Sequence, residues 1–282
     1  MSPLILPARF NEKPRIITPR LVTPNSGLWM FGAGAVARNA VNGVMAAVDA
    51  DRAKLIGTRY GQCVQVSSTT ALNRVNLGIP NCAIFGSNDF TVIARAKLDA
   101  TAGYTIAGRF HSTANPAASS WFLGAANGLN LSTNVTYISN GSTNVEVTSN
   151  ALAKNTDAFW TWTLTRRGNI VYVRTYNEIG ALVISGSAAF TGSVNNPAGN
   201  LGLGEIYLSS GYNASVTADY LYISNGVGHS DSELRRIAER PYQRLIAPQK
   251  RVLYFDAPSF PVLSSLTAGY ITSSGGRLTA ST

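Results

Sequence analysis

Residues Asp89–Leu98 read DFTVIARAKL. Phe90, Val92, Ala94, Ala96 and Leu98 fall on one side of this run, and Thr91, Ile93, Arg95 and Lys97 on the other. Successive side chains of a strand point to opposite faces, so a period of two with one apolar register predicts a half-buried strand of a β-sandwich. Downstream, Tyr104–Phe110, Ser120–Leu123, Leu129–Leu131, Val135–Ile138 and Val145–Val147 are short apolar or β-branched runs punctuated by Gly, Asn and Ser. Such spacing predicts a meandering antiparallel sheet. Phe159–Thr165 (FWTWTLT) alternates again, and Arg167-Gly168-Asn169 turns it into Ile170–Tyr176 as a hairpin. Leu182–Ile184, Leu201–Gly204 and Val216–Ile223 continue the series, while upstream Gly27–Phe31, Arg59–Val66 and Asn73–Gly78 are further candidates. Ala46–Leu55, with Asp49 and Asp51, reads as a loop.

One segment departs from this pattern. Ser230–Asp256 is SDSELRRIAERPYQRLIAPQKRVLYFD. Ser230 and Glu233 have the spacing of a capping box, Leu234, Ile237 and Ala238 form an apolar stripe, and Pro241 stops the helix because it disfavours α geometry at Arg240. The string that follows, Pro241, Tyr242, Gln243, Leu245, Ile246, Ala247, Pro248 and then a basic pair before Val252–Phe255, resembles the end of the concanavalin A-like (laminin-G-like) domain of tailed-phage and prophage structural proteins. Tyr242 stands where that pattern usually has Trp, and Arg244 is inserted before the apolar pair. The resemblance covers Phe31–Asp256. It implies an all-β, concanavalin A-like antiparallel sandwich of jelly-roll type with one short C-terminal helix. Many relatives carry an acidic pair in an early loop that here is Ser67-Ser68-Thr69-Thr70, which argues against inherited calcium binding, since hard cations need charged oxygen ligands.

The expected organisation is a Pro-rich extended arm over 1–25, the sandwich over 26–256, and a Ser/Thr/Ala-rich tail or extra strand over 257–282, with Val262–Ile271 its apolar part. The arm holds Pro3, Pro7, Pro14, Pro19 and Pro24, which block helix and sheet interiors. Leu4, Ile5, Leu6, Phe10, Ile16 and Ile17 give it apolar surface suited to lying along its own domain or a partner's. No signal peptide or membrane-spanning stretch is visible, so the expected location is the virion, after synthesis in the host cytoplasm.

Charged residues make up only 13%, with Lys plus Arg at 23 against 14 acids and a formal charge of +9. The excess concentrates at the ends, with four basic residues against one acid in the first 25. No basic stripe interleaved with aromatics is present, so neither nucleic acid nor membrane is an expected partner. Cys63 and Cys82 lack metal-ligand spacing and read as buried thiols, with a disulfide as the alternative.

Catalysis lacks its parts. The E-x-D-x-x-E string that places two carboxylates on one strand face does not occur, His111 and His229 stand alone, and there is no G-x-S-x-G. Asp89, Asp99, Glu146, Asp157, Glu178, Glu205 and Asp219 each sit among neutral neighbours and read as surface residues. Gly32–Ala37 matches a dinucleotide fingerprint only superficially, because no βαβ unit surrounds it. No catalytic, cofactor or metal residue is therefore assigned. The resemblance implies a non-enzymatic virion structural protein, a capsid decoration or a tail or head-fibre component. It would contact phage capsid or tail proteins, and other copies of itself, through the arm and tail. The alternative is a glycan-binding adhesion module that recognises host-surface carbohydrate. Among Trp121, Trp160, Trp162, Tyr207, Tyr212, Tyr220 and Tyr222, half must face the core of alternating strands, and Tyr207 and Tyr212 in their Gly/Ser-rich loop are the candidate sugar-stacking residues.

Overall fold

The computed structural model describes residues 25–31, 47–48, 53–58, 61–66, 75–98, 105–111, 114–127, 131–153, 158–204, 216–241, 245, 270–274 and 277–281. The chain divides into two compact units, Leu21–Pro241 and a second made from Met1–Arg20 with Tyr242–Thr282. Of the second, the described residues are Leu245, which is buried, and a hairpin of Tyr270–Ser274 with Arg277–Ser281, within the segment read as a tail or extra strand. The apolar arm residues Leu4 to Ile17, Tyr207, Tyr212, Asp49, Asp51 and the Ser67–Thr70 loop lie outside the described residues.

The larger unit is an antiparallel β-sandwich of the jelly-roll kind with one short helix. Numbered along the chain, its strands are β1 (Ser26–Met30), β2 (Ala47–Val48), β3 (Ala53–Thr58), β4 (Gly61–Val66), β5 (Val75–Asn76), β6 (Phe90–Leu98), β7 (Thr105–Arg109), β8 (Trp121–Asn127), β9 (Leu131–Ser139), β10 (Asn144–Ala153), β11 (Trp160–Arg167), β12 (Ile170–Tyr176), β13 (Leu182–Ala189), β14 (Gly202–Leu203) and β15 (Val216–Asn225). One sheet runs β13-β12-β11-β6-β15-β4-β3, with β1 also paired to β15. The other runs β10-β9-β8-β7-β14-β5-β2, so β7 to β10 form the expected meander. The early strands differ from the sequence reading. Ala53–Thr58, read partly as a loop, is an exposed edge strand hairpinned to β4, and β4 and β5 belong to different sheets.

Alternation carries the core. Phe90, Val92, Ala94 and Ala96 of β6, Trp162 and Leu164 of β11, and Leu221 and Ile223 of β15 meet Trp121, Leu123, Ile138 and Val147 of the facing sheet. Each of the Val, Leu, Ile and Phe side chains contributes about 1.5–3 kcal/mol relative to exposure. Trp162 also donates its indole N–H to the Ala96 carbonyl at 3.2 Å. Both thiols, Cys63 and Cys82, are buried and free, and burial raises both above their usual range, Cys82 to about 12.

β6 is more than half-buried: Phe90–Ala96 is buried on both faces. The reason is the helix α1 (Asp231–Glu239) and the segment before it. Thr91 donates its hydroxyl to the Val227 carbonyl and accepts from the His229 N–H at 2.9 Å. The capping box forms as the spacing predicts, and Leu234, Ile237 and Ala238 are buried. Asp231 reaches Arg167 at 2.9 Å and Arg174 at 3.0 Å, and both guanidinium groups stack on Tyr172. Close approach here needs Gly180, whose φ of +77° suits glycine and whose missing Cβ leaves room for Glu239.

Candidate functional site

The core side of the seven-stranded sheet is fixed by two rows of paired residues: Trp121 with Ile138 and Val145, and Leu123 with Thr136 and Val147. The row between them must point away from the core. By register it contains Glu146 on β10, Tyr137 on β9, Phe122 on β8, Gly108 on β7, Gly202 on β14 and Asn76 on β5. The next row on this face holds Thr148, which is exposed, and Val135, Gly124 and Thr105, which are buried.

Tyr137 lies one strand in from the β10 edge of this face. Its hydroxyl donates to Glu146 Oε2 at 2.6 Å in an exposed position. Its ring packs on Phe122 at 5.3 Å and Phe110 at 5.8 Å between centroids, and those two rings meet edge-on at 5.1 Å. Phe110 and Phe122 are buried and Tyr137 is half-buried, an aromatic cluster separate from the main core. Gly108 is required beside it, because a Cβ there would come within 2.6 Å of the Phe122 Cβ. The register that brings Tyr137 to Glu146 is set by the β9–β10 turn. Asn140 Oδ1 accepts from the backbone N–H groups of Ser142 and Thr143, and Gly141 takes φ +90°.

The rim at this end is tied down by polar bonds. Arg109, on the core side of β7, is buried and donates to the carbonyls of Gly199 (3.0 Å), Ala83 (3.2 Å) and Pro197 (2.6 Å), and to Asn196 Oδ1 (2.9 Å). Burial lowers its guanidinium to about 10, so it stays charged at neutral pH. Asn195 gives its amide to the Pro116, Ala117 and Ser119 carbonyls, while Ser120 donates to the Asn195 carbonyl.

Several sequence candidates resolve into structure. Trp121, Trp162, Tyr220 and Tyr222 are fully enclosed and Trp160 is 8% exposed, which leaves none of them as a sugar platform. Tyr137, Phe110 and Phe122 were not among the aromatics singled out from the sequence. Asp219, read as a surface residue, is instead 3% exposed and paired with Arg95 at 3.5 Å, at a register shift in β15 between Ala218 and Tyr220. Asp89 caps the β11–β12 turn through the Gly168 N–H and Glu178 accepts from the Phe159 N–H. Among the described residues no group of three or more His, Cys, Asp or Glu side chains could hold a metal ion, and no helix is long and apolar enough to cross a membrane.

No protein-family profile matches the chain, and no curated protein does. Solved structures do resemble it. Domain 4 of AbnA, a GH43 extracellular arabinanase from Geobacillus stearothermophilus in complex with arabinotriose, is 10% identical at a TM-score of 0.51, over 75% of this chain and 97% of that one. A Trypanosoma rangeli sialidase matches at 13% identity and a TM-score of 0.53 over 79% of this chain, a match that takes in only 33% of the sialidase. The Ruminococcus gnavus IT-sialidase CBM40 bound to α2,3 sialyllactose gives a TM-score of 0.46 at 12% identity. At these identities the likeness is one of fold.

Proposed function

We propose that this chain is a carbohydrate-binding β-sandwich module that holds its ligand on the outer face of the seven-stranded sheet, around Tyr137 and Glu146. The observation that carries this reading is the pair itself: a half-buried aromatic backed by two buried rings and fixed by a 2.6 Å bond to an exposed carboxylate. An aromatic ring packs on the C–H face of a sugar, and a carboxylate accepts strongly from hydroxyl groups. The arabinotriose complex of a domain with the same fold supports it as a precedent. The reading is one of binding: Glu146 is the only acid on the described strands of this sheet, whereas most glycosidases pair two facing carboxylates. A glycan array followed by titration with each captured sugar, arabinotriose included, tests it. Tyr137→Ala should abolish capture while the chain still unfolds cooperatively at a somewhat lower temperature, since the ring also packs on Phe110 and Phe122; capture that survives the substitution places the ligand elsewhere.

A second reading concerns where the module works, and the string from Ser230 to Asp256 favours it. Its resemblance to tailed-phage structural domains supports a virion component, attached through the N-terminal arm and the C-terminal segment and presenting the glycan face to a host surface. Co-sedimentation with virions tests this: hundreds of copies indicate a capsid, a few indicate a tail, and none removes the reading.

A further inference from the structure

The two sheets differ in charge. The strands of the eight-stranded sheet carry Lys54, Arg95, Lys97, Arg166, Arg167 and Arg174 against the single acid Asp219. Those of the seven-stranded sheet carry two charged residues in all, Arg109 and Glu146. Arg109 is on the core side, and its four hydrogen bonds go to three backbone carbonyls and an amide oxygen. From Phe110 to Ala153, through three strands and their connections, the chain has no Lys or Arg and no acid except Glu146. In a protein of net charge +9, the described strands of the candidate binding face therefore carry one outward charge, the Glu146 carboxylate.

We infer that the sugar held at Tyr137 and Glu146 is a neutral glycan, and that this face selects against sialylated, uronic or sulfated sugars. The inference rests on the glycan reading and adds the ligand class. An anionic sugar needs a cation or convergent donors to replace its lost hydration, and without them its desolvation opposes binding. The one cation in these strands is turned inward and engaged. Glu146 adds a like charge, which repels a second carboxylate at contact distance. Neutral hydroxyls meet the opposite situation, with a charged acceptor in Glu146 and an aromatic surface in Tyr137.

The test is an array of neutral oligosaccharides beside the same cores bearing sialic acid, uronic acid or sulfate, for example lactose beside α2,3-sialyllactose, read with the full chain. Neutral members should be captured, and the acidic group should weaken capture about fivefold or more. Raising salt from 50 to 500 mM should leave neutral capture within about twofold, since no ion pair is screened. Glu146→Gln, which keeps an acceptor for the Tyr137 hydroxyl, should narrow the gap between acidic and neutral members by removing the repulsion, with neutral members still preferred because no cation replaces the anion's lost hydration. Acidic members captured more tightly, in a manner lost in Tyr137→Ala, would overturn the neutral class while leaving the glycan reading intact. Capture of no sugar of either class defeats both.

Discussion

Replacing Arg109 by Met tests whether a buried cation fastens the rim of the seven-stranded sheet. The guanidinium makes four hydrogen bonds of 2.6–3.2 Å, three of them to backbone carbonyls from two separate segments, Ala83 and Pro197–Gly199. Charge-assisted bonds contribute about 1.5–3 kcal/mol each before the cost of burying the ion is set against them. Methionine fills most of the volume and supplies no donor, so buried acceptors lose their partner. Removing one side of such a buried arrangement costs roughly 3–5 kcal/mol. For a unit of this size that corresponds to a fall in melting temperature of about 6–20 °C. Arg109→Lys, a single ammonium without the planar fork, should fall between Met and the parent. Urea unfolding followed by tryptophan fluorescence gives the free energies. A loss below about 1 kcal/mol for Arg109→Met would refute the view that these bonds hold the rim.

Three further outcomes follow from the helix. Ser230→Ala should cost about 0.5–2 kcal/mol through the lost cap, and Leu234→Ala about 2–5 kcal/mol because its side chain is enclosed; thermal melts that match the parent for both would place the helix outside the cooperative unit. His229 is buried with Nδ1 3.6 Å from Glu233 and Nε2 3.4 Å from the Tyr222 hydroxyl, and burial lowers its pKa below 6.5, against the pull of Glu233. Its folded pKa is depressed, so its contribution is present above about pH 6.5 and lost as pH falls through the folded value. For Glu233, desolvation acts upward, but hydrogen bonds from Ser230 and the nearby His229 outweigh it and hold the carboxyl below 4.5, giving a second loss at lower pH. Melts from pH 7.5 down to about 2 should show both losses, with His229→Gln removing the upper one; an unchanged profile in that variant would contradict the assignment.

The helix was legible because its signals are local: cap, stripe and stop lie within twelve residues of one another. The strongly alternating strands were legible for the same reason, as β6 and β11 show. Where a strand passes through consecutive polar residues, apolar alternation understates its length. Leu129–Leu131 and Val135–Ile138 read as two strands, yet β9 runs unbroken through the polar Ser132-Thr133-Asn134. Asp219 escaped because an isolated acid among neutral neighbours reads as exposed, whereas β15 is buried on both faces. The candidate site was hidden more deeply. Tyr137 and Glu146 meet through a hairpin register, and Phe110 and Phe122 join them across two further strands. What the sequence did carry was a charge signal, the long stretch Phe110–Ala153 in which Glu146 is the one charged side chain other than histidine.

The central claim, that carbohydrate binds the outer face of the seven-stranded sheet, is tested most directly by amide chemical shifts during titration with the sugar that the array selects. The account predicts that the largest changes fall on Phe122, Tyr137, Glu146 and Thr148, with the amides of helix α1 unmoved. Changes centred on α1 and the Arg167–Arg174 hairpin, with Tyr137 and Glu146 silent, would contradict it.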